Sequence, residues 1–380
     1  MEPPRLPAGP VALRPPRAGD VEDVLDHGRD PATSMIFPDL ATRADAERFL
    51  LDQVPRGWRD GDHLTLAVAD ASSDAYLGVV TLRVKPGGAA DVSYGLRPSA
   101  RGRGAMTEAL RALVDWAFSD AGPGLSAMHW QAPVGSWAAR RVAWRVGFRI
   151  EGVLRAGVLA DQGRADCWLA SLLADDPRQP TNPWYTAAVL RGRRCVLRPF
   201  RESDADAVVE GCTDPLTRHW LTHLPDPYTT AEALSFIRGR EEAHASGRGV
   251  HWAVADPDTD ACIGAFGLND IDQSTGTAEL GYWVHPRARG RGVATEAARL
   301  IVRHALIPVD DGGLGLRRLT LRAAAQNVAS QRVAERAGLR PAGVWRAAQQ
   351  LGDGSFTDMV VFDLLAEDVT SADWLRDDID

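Results

Sequence analysis

Apolar positions along the chain change period several times, and each change predicts an element. In the second half, residues 251–256 and 261–268 read as two strands separated by the turn-rich "DPDTD". "TAELGYWV" (277–284) predicts a third strand, and Pro286, which has no backbone N–H to donate, ends its pairing. From about Val293 the period lengthens to that of a helix. Ala294, Ala297, Ala298, Ile301, Val302, Ala305 and Leu306 form one apolar stripe, with Glu296, Arg299 and Arg303 on the other face. An opening strand at Val196–Arg198, helical "DADAVVEG" (204–211) and "AEALSFIRGREEAHA" (231–245), a strand in "RRLTLRAAA" (317–325), a short helix from Asn327 and a closing strand in "FTDMVVFDLL" (356–365) complete this half. Strands punctuated by helices in this order predict an α+β domain with a mixed sheet in three α/β/α layers.

The same order occurs earlier in the chain. "VALRPPRAGD" (11–20) matches "CVLRPFRESD" (195–204), and "LAVADASSDAYLG" (66–78) matches "WAVADPDTDACIG" (252–264). "DVSYGLRPSARGRG" (91–104) matches "ELGYWVHPRARGRG" (279–292), and "RRVAWRVGFRIEGVLR" (140–155) matches "QRVAERAGLRPAGVWR" (331–346). Two tandem domains follow, 8–175 and 190–375, joined by a proline-rich linker over 176–189 that has neither helical nor strand period. A short acidic tail, "SADWLRDDID", closes the chain.

Composition narrows the function little. Over 380 residues the formal charge is −8, which argues against general nucleic-acid binding and mildly favours a cationic substrate such as an amine. Lys85 is the single lysine, against abundant arginine and alanine, as codon bias in a GC-rich genome produces. Cys167, Cys195, Cys212 and Cys262 show no metal-ligand spacing and read as reduced thiols. With no signal-peptide pattern and no apolar run long enough for a membrane, a cytoplasmic location is expected.

The candidate chemistry lies in "RARGRGVATEAARL" (287–300) and its earlier counterpart "SARGRGAMTEALRAL" (99–113). A helix start leaves its first N–H groups unsatisfied. Gly290 and Gly292 place no Cβ between backbone and ligand, and Arg289 and Arg291 add positive charge. Amides at the positive end of a helix then suit a pyrophosphate. The plainer alternative is a tight, charged strand–helix turn. No GK[ST] follows, so this is not a P-loop, and no GxGxxG opens a parallel βαβ unit.

Arg289 to Ala294, read as R-x-x-G-x-A, resembles the acyl-CoA pyrophosphate loop of the GNAT N-acetyltransferase superfamily. With "VLRPFRESD", "AELGYWVHP", "NVASQRVAERAGL" and "GSFTDMVVFDLL", the second half resembles its ribosomal-protein-alanine (RimJ/RimL-like) branch. The resemblance implies acetyl-CoA, or another acyl-CoA, as cosubstrate, and direct attack by an amine in a ternary complex, with no metal. It places the cofactor-binding set at Val284, Arg289, Gly290, Arg291, Gly292, Val293, Ala294, Thr295 and Asn327, with the Val284 amide facing the carbonyl oxygen. An acceptor lysine titrates near 10.4 and an α-amine near 7.7–8.0, so a base helps the amine lose its proton. Glu279 is the candidate base, directly or through water; otherwise it is a solvent-facing or salt-bridged strand carboxylate. Ser330 is the candidate proton donor to the leaving sulfur, or else a small polar residue in a first helical turn. Asn327 suits an N-cap as well as a cofactor contact. Ala334 stands where other branches place a tyrosine.

The copies differ. Met106 replaces the small residue of the loop, its long side chain expected to crowd a pyrophosphate; Asp91 replaces Glu279; Ser136 (also expected to cap its helix) and Ala139 replace Asn327 and Ser330. The second domain is therefore the expected catalyst. The acceptor, a protein N-terminus or a small-molecule amine, is expected over residues 212–230, where His219, Trp220, His223 and Tyr228 are candidates to line it. The alternatives are a non-catalytic acyl-CoA-binding protein and a transferase with a longer acyl donor. No nucleic-acid or membrane partner is expected, and the tandem chain is either a monomer with an internal pseudo-dimer or a homodimer.

Overall fold

The computed structural model describes residues 1–30, 33, 40–160 and 163–369, so the tail and the end of the domain expected to run to 375 lie outside the described residues. The chain divides into two compact units, Met1–Thr181 and Asn182–Asp380. In the first, β1 (Leu6–Ala8) and β2 (Val11–Arg14) precede helices α1 (Val21–Gly28), α2 (Arg43–Arg48) and α3 (Val54–Asp60). There follow β3 (His63–Asp70), β4 (Tyr76–Lys85), β5 (Ala89–Leu96), α4 (Ala105–Phe118), β6 (Ala127–Pro133), α5 (Trp137–Val146), β7 (Arg149–Ala160) and β8 (Gly163–Leu173). The second repeats this order. It has β9 (Leu190–Arg191), β10 (Val196–Arg198), α6 (Ala205–Thr213), α7 (Pro215–Trp220), α8 (Thr230–Ala245), β11 (Val250–Ala255), β12 (Cys262–Asp272) and β13 (Thr277–Val284). Then come α9 (Val293–Leu306), β14 (Arg318–Ala324), α10 (Val328–Arg336), β15 (Arg340–Gln350), β16 (Phe356–Leu365) and α11 (Ala366–Val369).

Each unit holds one eight-stranded sheet, in the orders β1-β2-β3-β4-β5-β6-β8-β7 and β9-β10-β11-β12-β13-β14-β16-β15. All neighbours pair antiparallel except β5 with β6 and β13 with β14. The mixed α+β architecture expected from the pattern is thus present twice.

A repeated ion-pair cluster explains the shared "LRP" signature. Arg198 grips Asp204 with two bonds of 2.8 Å, and its Nε reaches Asp260 at 2.8 Å. Arg14 does the same with Asp20, at 2.7 and 2.8 Å, and with Asp74 at 3.1 Å. Both guanidinium groups are buried, so losing either partner would strand a charge in the interior.

Helix α9 buries Val293, Ala297, Ala298, Ile301, Val302, Ala305 and Leu306 against the sheet. Each large aliphatic chain so covered is worth about 1.5–3 kcal/mol. Glu296 departs from the expected solvent face. It is buried, and its carboxylate accepts the backbone N–H groups of Arg193 and Arg194 at 3.1 and 2.6 Å. The first turn of α9 therefore anchors the chain leading into β10 through a charge-assisted contact. Met106 departs as well: as the second residue of α4 its side chain points into the first unit's core, not over the loop.

Part of the stretch 176–189 packs on the second unit. Tyr185 N–H donates to the His244 carbonyl at 3.0 Å, and Trp252 Nε1 donates to that of Ala188 at 2.8 Å. The four cysteines are buried and free of disulfides. Among the described residues no cluster of metal-ligating side chains occurs, and no helix is long and apolar enough to cross a membrane.

Candidate active site

Strands β13 and β14 pair only at Thr277–Glu279 and then diverge. His285 N–H donates to the Ile263 carbonyl at 2.9 Å, with Val284 opposite Gly264 in register. Bonded residues alternate along an antiparallel pair, so the amides of Glu279, Gly281 and Trp283 face β12. Those of Tyr282 and Val284 turn the other way, into the opening beside β14. A cavity of about 930 Å³ fills this opening and extends beneath α6–α8, within the usual size of ligand sites.

The loop after β13 forms one wall. Gly290 (φ 73°) and Gly292 (φ 79°) adopt left-handed backbone that a side chain would strain. The matching Gly102 and Gly104, both at 78°, show the same geometry. At the start of α9, the amides of Val293, Ala294 and Thr295 have no acceptor within the helix. All three residues line the cavity with Arg289, Gly290 and Gly292, whereas Arg291 is exposed and does not. Arg289 serves the loop more than a ligand. Its Nε donates to the Val284 carbonyl at 3.1 Å, and its Nη2 pairs with Asp214 at 2.5 Å and donates to Thr217 at 2.8 Å. The counterpart Arg101 binds the Leu96 carbonyl and Asp30 in the same way. Two cations that sequence reasoning missed, Arg332 and Arg336, line the cavity one helical turn apart on α10.

The candidate chemical groups face the same space. Ser330 lies one turn into α10, whose N-cap Asn327 accepts the Ser330 amide at 3.1 Å. Tyr282, also missed, donates its hydroxyl to Ser330 Oγ at 2.9 Å. Its ring stacks on Phe266 at 4.5 Å, and burial pushes the phenol up to about 12. Glu279 lines the cavity in a two-point pair with Arg322, at 2.8 and 2.5 Å. This is the salt-bridge geometry held open for it in the sequence. Arg322 in turn covers the Trp345 ring at 5.2 Å. Of the acceptor-side aromatics, Trp220, His223 and Tyr228 line the cavity and His219 does not.

The first unit differs at the corresponding place. Tyr94 matches Tyr282, but its hydroxyl donates to the Ala139 carbonyl at 2.8 Å. Buried Trp130 stands in register where the second unit has Leu321, its ring 6.5 Å from and nearly parallel to Tyr94. Ser136, expected to cap α5, makes no side-chain capping bond.

A loop of left-handed glycines opening a helix, beside two strands that part, is the arrangement that the sequence's resemblance to the GNAT superfamily implies. The acetyltransferase (GNAT) domain model matches residues 11–149 and again 194–340. The chain belongs to the GNAT acetyltransferase family, with two such domains in tandem. It is 28% identical over 160 residues, 42% of this chain and 86% of the relative, to the uncharacterized N-acetyltransferase YoaA of Bacillus subtilis. It is 30% identical over 94 residues, 25% of this chain and 50% of the relative, to the ribosomal-protein-serine acetyltransferase of Escherichia coli. Among solved structures, Mycobacterium smegmatis RimJ in complex with CoA-disulfide matches at 20% identity with a TM-score of 0.44, over 51% of this chain and 95% of that one.

Proposed function

We propose that the second domain transfers an acetyl group from acetyl-CoA to a primary amine, by direct attack with both substrates bound. The observation that carries this reading is the convergence of the loop amides, the outward-turned Val284 N–H, the Tyr282–Ser330 hydroxyl pair and Glu279 on one cavity. The residues present fit the cosubstrate. Open space lies over Gly290, where an added Cβ would meet nothing within 4 Å, and the amides of Val293–Thr295 with Arg332 and Arg336 suit its phosphates. When bound, acetyl-CoA supplies a thioester carbonyl and a thiol leaving group. Val284 N–H is a preorganised donor for the oxygen on which charge develops. Ser330 donates a proton toward sulfur, and Tyr282, protonated at neutral pH, keeps that hydroxyl hydrogen-bonded. Glu279 receives the amine's proton, through water or after Arg322 shifts. Asn327 fixes the turn that presents Ser330.

The first domain is the non-catalytic partner in this reading, because Ala139 holds no proton to give and Trp130 occupies the matching wall. A protein N-terminus is one acceptor class in this reading, beside small amines, and the Escherichia coli relative is named for acting on a ribosomal protein. Calorimetric titration of acetyl-CoA tests the proposal. One molecule bound per chain is expected, and none bound at millimolar ligand would overturn it.

A further inference from the structure

The acceptor side of the cavity carries a cation without a counter-charge among the described residues. Helix α8 buries Ala233 and Ile237, and Arg240 lies three residues on along the same stripe. Its guanidinium sits 4.3 Å over the Phe236 ring, and its Nε donates to the Phe236 carbonyl at 3.0 Å. No ion pair joins it to a carboxylate among the described residues, and its ionisable neighbours are Tyr228, His244 and His251. Among the described residues Glu279 is the only carboxylate lining the cavity, and it is already held by Arg322.

The sheet beneath is cut away to expose hydrogen-bond donors. A Cβ on Gly267 would meet the His251 ring at 2.4 Å, and one on Gly281 would lie 3.0 Å from Asn269 Nδ2. The two glycines thus leave room for His251 and Asn269 to lie across the strands. His251 Nε2 bonds Asn269 Oδ1 at 3.0 Å, which leaves the Asn269 amide N–H groups for another partner. Asn269 stands opposite Glu279 in register. A half-buried guanidinium and an amide donor therefore share the side of the cavity where Glu279 would receive the acceptor's proton.

We infer that the acceptor is an anionic amine, whose carboxylate or phosphate is held by Arg240 while its amine lies toward Glu279. This rests on the transferase reading and names the substrate class of that site. With Nε spent on Phe236, the two Nη groups offer an edge for two-point contact with an oxyanion. Burying a cation without a partner is unfavourable, and an anionic ligand removes that cost. The net negative charge of the whole chain does not set the sign of this wall. Polycationic amines are excluded by the same logic.

Dead-end complexes with CoA test this without turnover. Protein saturated with CoA is titrated with 4-aminobutanoate, 3-aminopropyl phosphate and the neutral 4-aminobutanamide. The wild type should bind at least one anion about ten- to a hundredfold more tightly than the amide, and the tighter of the two identifies the oxyanion. Arg240→Gln should abolish the preference and leave CoA affinity unchanged, while Arg240→Lys should restore part of it. Equal affinities in the wild type, an unchanged preference in Arg240→Gln, or no heat from any probe at millimolar concentration would overturn the inference. If CoA itself fails to bind, the transferase reading falls, and the same titrations without CoA decide the role of Arg240.

Discussion

Removing the Tyr282 hydroxyl isolates one step of the proposed chemistry. In Tyr282→Phe the ring keeps its stack on Phe266, and only the 2.9 Å bond to Ser330 is lost. A neutral hydrogen bond is worth about 0.5–1.5 kcal/mol, so turnover should fall about two- to thirteenfold. Ser330→Ala removes the proton donor itself and should cost about 10²–10⁴ in kcat, with acetyl-CoA affinity little changed. Because Tyr282 acts through Ser330, the two losses should not add. Tyr282→Phe made on the Ser330→Ala background should have no further effect on kcat. The assay is thiol release at saturating acetyl-CoA with any accepted amine, with thermal unfolding as a control for folding. A full multiplicative loss in the double variant would refute the relay, and wild-type kcat in Ser330→Ala would remove Ser330 from the mechanism.

Glu279→Gln should lower kcat/KM most steeply below the acceptor's own pKa, where help in losing a proton matters; a uniform small loss across pH would assign Glu279 to the Arg322 pair alone. Asp214→Asn loosens the Arg289 strut and should raise the Kd for acetyl-CoA several-fold by calorimetry, with kcat nearly unchanged. Stability should fall with acid. Burial, chiefly, holds His27 and His244 to about 4 and His251 to about 3. Unfolded, these imidazoles take up protons from about pH 6.5 downward, so their contribution is complete above that value and lost as pH drops toward 4. The limiting slope is about 1.4 kcal/mol per pH unit for each. Melting scans between pH 7 and 5 should show the decline, and His251→Gln should flatten it; a pH-independent midpoint would contradict the burial.

Local signals carried the fold because they sit close together in the chain. The alternation in 277–284, the proline after it and the stripe from Val293 place β13, the loop and α9 where they occur. Strand β15 was not legible, since it is exposed on both faces and holds Pro341 and Gly343, so no alternation marks it. Glu296 read as a solvent-facing acid because the backbone that covers it arrives from about a hundred residues upstream. The same distance problem hid Tyr282, whose partner Ser330 is 48 positions away. Val284 shows the limit from the other side: a backbone donor has no residue signature, and only strand parity reveals which way it points.

The central claim is that the second domain's loop grips acetyl-CoA and its cavity performs the transfer. Thiol release from wild type, Gly292→Trp and Gly104→Trp measures this most directly, because the two loops share backbone geometry and differ in what surrounds them. Gly292→Trp should abolish activity while Gly104→Trp, folded to a similar degree by thermal unfolding, retains most of it. Equal losses in both variants would contradict the assignment.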